Sequence, residues 1–81
     1  MLRMETKTKM SEAEVIKQAV EFFGPGGYGL EVKEHTDCLV TFEGGGGGVS
    51  VATCVEEDKT AVEITSREWD YQAQEFSRKI S

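Results

Sequence analysis

The chain of 81 residues has one proline, one histidine, one tryptophan and two cysteines, and basic residues are in the minority. Two cysteines are too few for the disulfide framework that stabilises small secreted domains, so Cys38 and Cys54 are expected as free thiols. With one histidine and no paired Cys-x-x-Cys, there is no zinc-knuckle signature. Nine Lys and Arg against fifteen Asp and Glu give a formal charge of −6. That balance works against binding to phosphate backbones and anionic lipid surfaces, both of which reward clustered cations. No apolar run reaches the roughly 20 residues of a bilayer span. The opening MLRMETKTKM alternates charged and apolar residues where a secretory leader would be continuously apolar, so a cytoplasmic location is expected. The length suits a single domain, residues 1–81.

What is present is a run of legible elements. Leu2, Met4, Thr6, Thr8 and Met10 alternate with Arg3, Glu5, Lys7 and Lys9, the period-two pattern of a half-buried strand. Ser11 and Glu14 form a capping box, and Met10 with Val15 makes a hydrophobic staple, predicting a helix from Glu12. Its stripe is Val15, Ile16, Ala19, Val20 and Phe23, and Gly24–Pro25 ends it. Four extended segments follow near residues 28–35, 37–43, 49–55 and 60–65, joined by His35–Asp37, by the five glycines Gly44–Gly48 and by Glu56–Lys59. Alternation puts Leu30, Val32, Val49, Val51, Val55, Val62 and Ile64 inside, while residues 38–43 leave open whether Val40 and Phe42 or Leu39 and Thr41 face the core. Thr65 and Glu68 form a second capping box, and Trp69, Ala73, Phe76 and Ile80 make the stripe of a last helix, with Tyr71 off it.

Two helices with one apolar stripe each and a sheet with one apolar face bury their surfaces as two layers. The expected fold is α+β, a five-stranded antiparallel sheet carrying both helices on one face in the order β-α-β-β-β-β-α. This order, over essentially the whole chain, resembles the TATA-box-binding-protein-like and helix-grip folds. It is also similar to small domains met in structural genomics; FEGGGGGVSV and SREWDYQ are the distinctive stretches, and neither implies an activity. Members of such folds use the open or gripped face for DNA, lipids or small ligands, so the resemblance indicates a place and not a chemistry.

If successive elements reverse direction, the loop Gly24–Gly29, the loop Gly44–Gly48 and the amino end of the last helix meet at one end of the molecule. Glycine turns and helix amino termini present backbone N–H groups, so Gly26, Gly27, Gly45, Gly46, Gly47 and Arg67 are the candidate site for a small anionic ligand. Glu43 and Glu68 at the same end, the lack of a Walker-type lysine and the ordinary use of glycine in hairpins oppose it. At the other end His35, Asp37, Cys38 and Cys54 would gather, with Cys38 facing Cys54 if Glu43 pairs with Val49. Neither a catalytic nor a metal role is assigned to them, and no cofactor is expected, because nothing orients the imidazole or furnishes an oxyanion site.

The bare face should display Arg3, Glu5, Lys7, Lys9, Glu31, Lys33, His35, Glu43, Ser50, Ala52, Cys54, Ala61, Glu63 and Thr65. A small, neutral centre with a charged margin suits a protein partner or a homodimer. The expected function is therefore a non-enzymatic binding or interaction module, and the alternative is the anion site at the glycine-rich end.

Overall fold

The computed structural model describes residues 1–81. The elements run β1 (Leu2–Thr8), α1 (Glu12–Phe23), β2 (Glu31–His35), β3 (Leu39–Gly44), β4 (Gly47–Glu56), β5 (Lys59–Arg67) and α2 (Asp70–Ile80). The five strands form one antiparallel sheet in the order β1-β5-β4-β3-β2, leaving β1 and β2 as its edges. Both helices lie on the same face. Phe23 of α1 and Phe76 of α2 meet with ring centroids 5.4 Å apart, and both belong to one core with Val40, Phe42, Val49, Val51, Val62 and Ile64 from the sheet. The α+β architecture therefore stands as the periodicities imply. No helix is long and apolar enough to cross a membrane.

Local chemistry explains the first helix. The Ser11 hydroxyl accepts a hydrogen bond from the Glu14 N–H at 3.2 Å, and Val15, Ile16, Ala19 and Phe23 are buried. At its other end the Gly24 N–H donates to Val20 O at 2.9 Å. In the sheet, Val40 and Phe42 are the inward pair of β3, since they oppose Val51 and Val49 of β4, while Thr41 opposes Ser50 on the other face. The buried hydroxyls lie around the rim of the core and all have partners. The Thr60 hydroxyl donates to Met10 O at 2.7 Å and the Thr8 hydroxyl accepts from the Met10 N–H at 3.2 Å; the half-buried Thr53 hydroxyl donates to the Glu12 carboxylate at 2.9 Å.

Several expectations are corrected. Only Gly45 and Gly46 form the β3–β4 turn, with φ of +59° and +83°; both values are positive, as a two-residue type I′ turn requires. Gly44 pairs with Gly47 and Glu43 with Gly48, so Cys38 lies opposite Thr53 rather than Cys54, and the Thr53 N–H donates to Cys38 O at 2.8 Å. The Thr65–Glu68 capping box does not form, because β5 continues beside β4 as far as Arg67. Glu68 then turns the chain with φ of +70°, Trp69 becomes the N-cap without a side-chain bond, and the Ser66 hydroxyl donates to the Asp70 carboxylate. Val55, expected inside, is 59% exposed where the long β4–β5 hairpin extends beyond the helices.

A β-bulge between Val32 and Glu34 makes a further correction. Val32 opposes Phe42, but Glu34 opposes Thr41 and His35 opposes Val40. One extra residue reverses the parity of everything after it. His35, placed on the bare face by alternation, therefore lies on the helix side, and Glu34 takes its place on the bare face. Lys9 also leaves the sheet, since β1 ends at Thr8.

The Trp69 ring closes the glycine-rich end. Its Nε1–H donates to Gly44 O at 2.9 Å, and its ring lies where a Cβ on Gly45 would come within 2.9 Å of it. At Gly47 a Cβ would stand 1.9 Å from the backbone oxygen of Arg67, so close approach of β4 to the β5–α2 junction demands glycine there. Gly47→Ala should therefore destabilise the fold by roughly 1–3 kcal/mol through overpacking. Gly46→Ala, in open space but at positive φ, should cost about 1–2 kcal/mol through backbone strain alone. Phe76→Ala should exceed both at about 3–5 kcal/mol. Urea unfolding of the three variants checks the order.

Candidate interaction surface

The face opposite the helices carries nothing above it, and the strand register arranges its residues in rows. Across β2, β3, β4, β5 and β1 one row reads Glu34, Thr41, Ser50, Thr65 and Arg3. The next reads Leu39, Ala52, Glu63 and Glu5, and the one beyond it Cys54, Ala61 and Lys7. Toward the glycine turn the row is Glu31, Glu43, Gly48 and Arg67. Hydroxyls and methyl-sized side chains thus occupy most of the middle of the face, interrupted beside Ala52 by Leu39 and Glu63, and most charges lie along the two edge strands and at the glycine-turn end. Ala61 is the most covered of the central residues, at 9% exposure, hemmed by its cross-strand neighbours Lys7 and Cys54.

The edge charges show a repeated arrangement. Glu31 directly opposes Glu43, and Glu5 directly opposes Glu63, two like-charge pairs that disfavour their own pairing. Each is relieved by one cation from the edge strand. Lys33 Nζ lies 2.8 Å from Glu31, and Arg3 donates to Glu63 through Nη2 at 2.8 Å and Nε at 3.2 Å. Hydrogen bonding from Lys33, together with its charge, lowers the Glu31 pKa from the usual carboxylate value. In return the Lys33 pKa is raised, first by the bond to Glu31 and then by its charge. Arg3 is likewise held charged by its bond to Glu63. A further pair joins Lys7 to Glu56 at 3.3 Å. Glu5, Glu34, Glu43 and Arg67 have no ion pair or side-chain hydrogen bond. The face therefore offers unpaired charge of both signs, with acid in excess along β2 and β3.

The glycine-rich end does assemble: Trp69 contacts Tyr28 at a centroid distance of 5.8 Å and covers the Gly45 turn, and Arg67 stands opposite Gly48. Within the Gly24–Gly29 loop, however, most N–H groups cap α1. Gly27 and Gly29 donate to Gly24 O at 2.9 and 2.8 Å, Tyr28 donates to Phe22 O at 3.0 Å and Leu30 to Phe23 O at 2.8 Å. Gly26 has open space around it. Of the six residues proposed from the sequence, Gly45, Gly46, Gly47 and Arg67 are grouped around the β3–β4 turn, and Gly26 and Gly27 belong to the loop behind Tyr28.

The far end divides instead of gathering. His35, Thr36 and Asp37 line an open groove of about 510 Å³ with Glu12, Lys17 and Glu21 of α1 over a floor of Ile16 and Val20. Cys38 and Cys54 are exposed free thiols one residue out of register, and no group of three or more His, Cys, Asp or Glu stands together as a metal-binding cluster. Alternation could not reveal this groove, because a bulge has no signature in Glu31–His35, where every residue but Val32 is polar.

Compared with known proteins, the chain matches no family model, no curated protein and no solved structure.

The edge pairing makes a direct prediction. In a carboxyl-detected NMR titration, Glu31 should titrate below the ordinary glutamate range, and Lys33→Gln should bring it back up. Because its folded-state pKa is the lower one, the pair's contribution is present above the unfolded pKa of Glu31 and fades as pH falls through the folded value. An unchanged Glu31 midpoint in Lys33→Gln would show that the pair does not form.

Proposed function

We propose that the chain is a non-enzymatic interaction module of the cytoplasm that docks a protein partner on its bare sheet face. The observation that carries this reading is the composition of that face by rows: Thr41, Ser50, Ala52, Ala61 and Thr65 at its centre and unpaired Glu5, Glu34, Glu43 and Arg67 at its margins. A level centre of small groups lets another protein approach closely, and unpaired margin charges select its orientation and speed its encounter. The excess of carboxylates along β2 and β3 favours a partner with basic side chains at that margin and disfavours a phosphate backbone. The non-enzymatic part of the reading is supported by the bonding of the thiols: Cys54 lies on the bare face away from the helix-side His35 and its thiol donates to Val55 O, and neither thiol is hydrogen-bonded to an imidazole or carboxylate.

An anion at the glycine-rich end is the second reading, and unpaired Arg67 is the observation in its favour. It lines a shallow concavity of about 180 Å³ with Thr41, Ser50 and Thr65, though the Glu43 carboxylate lines it too and opposes an anion there. Inorganic phosphate is the probe: amide shifts confined to Gly26, Gly27, Gly45, Gly46, Gly47 and Arg67 would support it, and a flat titration would remove it.

For the docking reading, Ala52→Arg places a long charged side chain at the centre of the face, and Glu14→Arg alters an exposed position on α1. In cross-linking from native extract, the partner should be lost from Ala52→Arg and retained by Glu14→Arg, with both variants folded by circular dichroism. Retention by Ala52→Arg would overturn the proposal.

A further inference from the structure

The two sheet edges are built differently. At β2 the bulge and the exposed Glu31, Lys33, Glu34 and His35 interrupt the outer line of backbone groups, a familiar protection against further strand pairing. β1 carries exposed Arg3, Glu5 and Lys7, of both signs, but no bulge. Its pairing to β5 runs from Leu2↔Ser66 to Thr8↔Thr60 without a register shift, it contains no proline, and its other side has no strand beside it. Leu2 and Met4 pack against the core yet remain partly exposed, because α2 sits mainly over β5. A regular edge with incompletely covered apolar side chains and charges of both signs accepts another strand whose charges are complementary.

We propose that β1 pairs antiparallel with β1 of a second copy of this chain, with the two-fold axis at Met4, to make one continuous ten-stranded sheet. Charge selects this register. Keeping the helices of both copies on one side of the sheet requires paired residue numbers with an even sum, since strand faces alternate with period two. Centring on Glu5 sets Glu5 against Glu5 of the partner subunit and Arg3 against the partner's Lys7, all like charges. Centring on Thr6 sets Glu5 against the partner's Lys7 and Lys7 against the partner's Glu5, but carries Arg3 toward the partner's Lys9, just past the end of β1. Centring on Met4 gives two reciprocal opposite-charge pairs with no like charges brought together, Arg3 against the partner's Glu5 and Glu5 against the partner's Arg3, with Met4 on Met4 of the partner subunit beneath the helix layer. Glu5 is the residue that gains most. It faces the Glu63 carboxylate across the strands and shares Arg3 with it, the guanidinium hydrogen-bonding Glu63 and only attracting Glu5 through space. The guanidinium uses two of its five N–H groups on Glu63, leaving donors for a second carboxylate.

This pairing uses the edge and leaves the bare face free, so it does not depend on what docks there. Sedimentation equilibrium on the full chain tests it. The wild-type protein should show a monomer–dimer equilibrium; a strict monomer up to about 1 mM would overturn the inference. Glu5→Arg opposes two arginines at each reciprocal pair while relieving the clash with Glu63, so dimerisation should weaken about tenfold or more with no loss of thermal stability. The double variant Arg3→Glu/Glu5→Arg recreates both pairs with signs exchanged and should restore the dimer. Ala52→Arg should dimerise as the wild type does. A dimer that survives Glu5→Arg, or is lost in Ala52→Arg, or is not restored by the double exchange, would overturn pairing through β1.

Discussion

Everything in this molecule follows from burying two apolar helix stripes against the same side of one sheet. Phe23 and Phe76 approach to 5.4 Å above Phe42, so the helices support each other as well as the strands beneath. A chain this short has too little apolar surface to cover both faces. Had the helices divided between the faces, each would have found half a core. Placing both on one side concentrates the phenylalanines in a single cluster and necessarily leaves the other side of the sheet bare.

The bare face and the glycine-rich end are linked through Trp69. Its indole reaches Gly44 O and covers Gly45, so the β3–β4 turn, the β5–α2 junction and the start of α2 hold together at one corner. Glycine serves close approach there, most acutely at Gly47 beneath the Arg67 carbonyl. The same packing leaves Arg67 at the end of the sheet without an ionic partner, next to the acidic row formed by Glu31 and Glu43. Structural need and available charge thus coincide at this corner, which is what the proposed docking reading draws on. The proposed pairing through the edge strand β1 would be separate from this face, since it needs only backbone groups and compatible charges.

Much was legible from residue order because the governing signals are local. The period-two run from Leu2, the Ser11 cap, the stripe Ala73, Phe76 and Ile80 and the glycine turn each define an element over a few residues, and one-sided burial then leaves a single economical arrangement of layers. The positions that eluded this reading depend on partners distant in the chain. Strand alternation alone could not choose between Val40 and Leu39, because both parities of β3 carry apolar residues; the choice came from Val49 and Val51 across the ladder. The Thr65–Glu68 cap was a valid local motif defeated by a longer one, the β4–β5 ladder that holds Arg67 opposite Gly48.

Sequence by itself determined the class, the order of elements, the common side of both helices and the largely small, polar make-up of the exposed face, since these depend on hydrophobic period and on the limited core a chain of this length can build. Only tertiary structure decided the registers: the two-residue glycine turn that offsets Cys38 from Cys54, the bulge that moves His35 to the helix side and brings Glu34 to the bare face, and the carboxylate pairs at both edges. The reason is that register is a relation between strands. A shift of one residue leaves composition and periodicity untouched and yet exchanges every side chain between core and solvent.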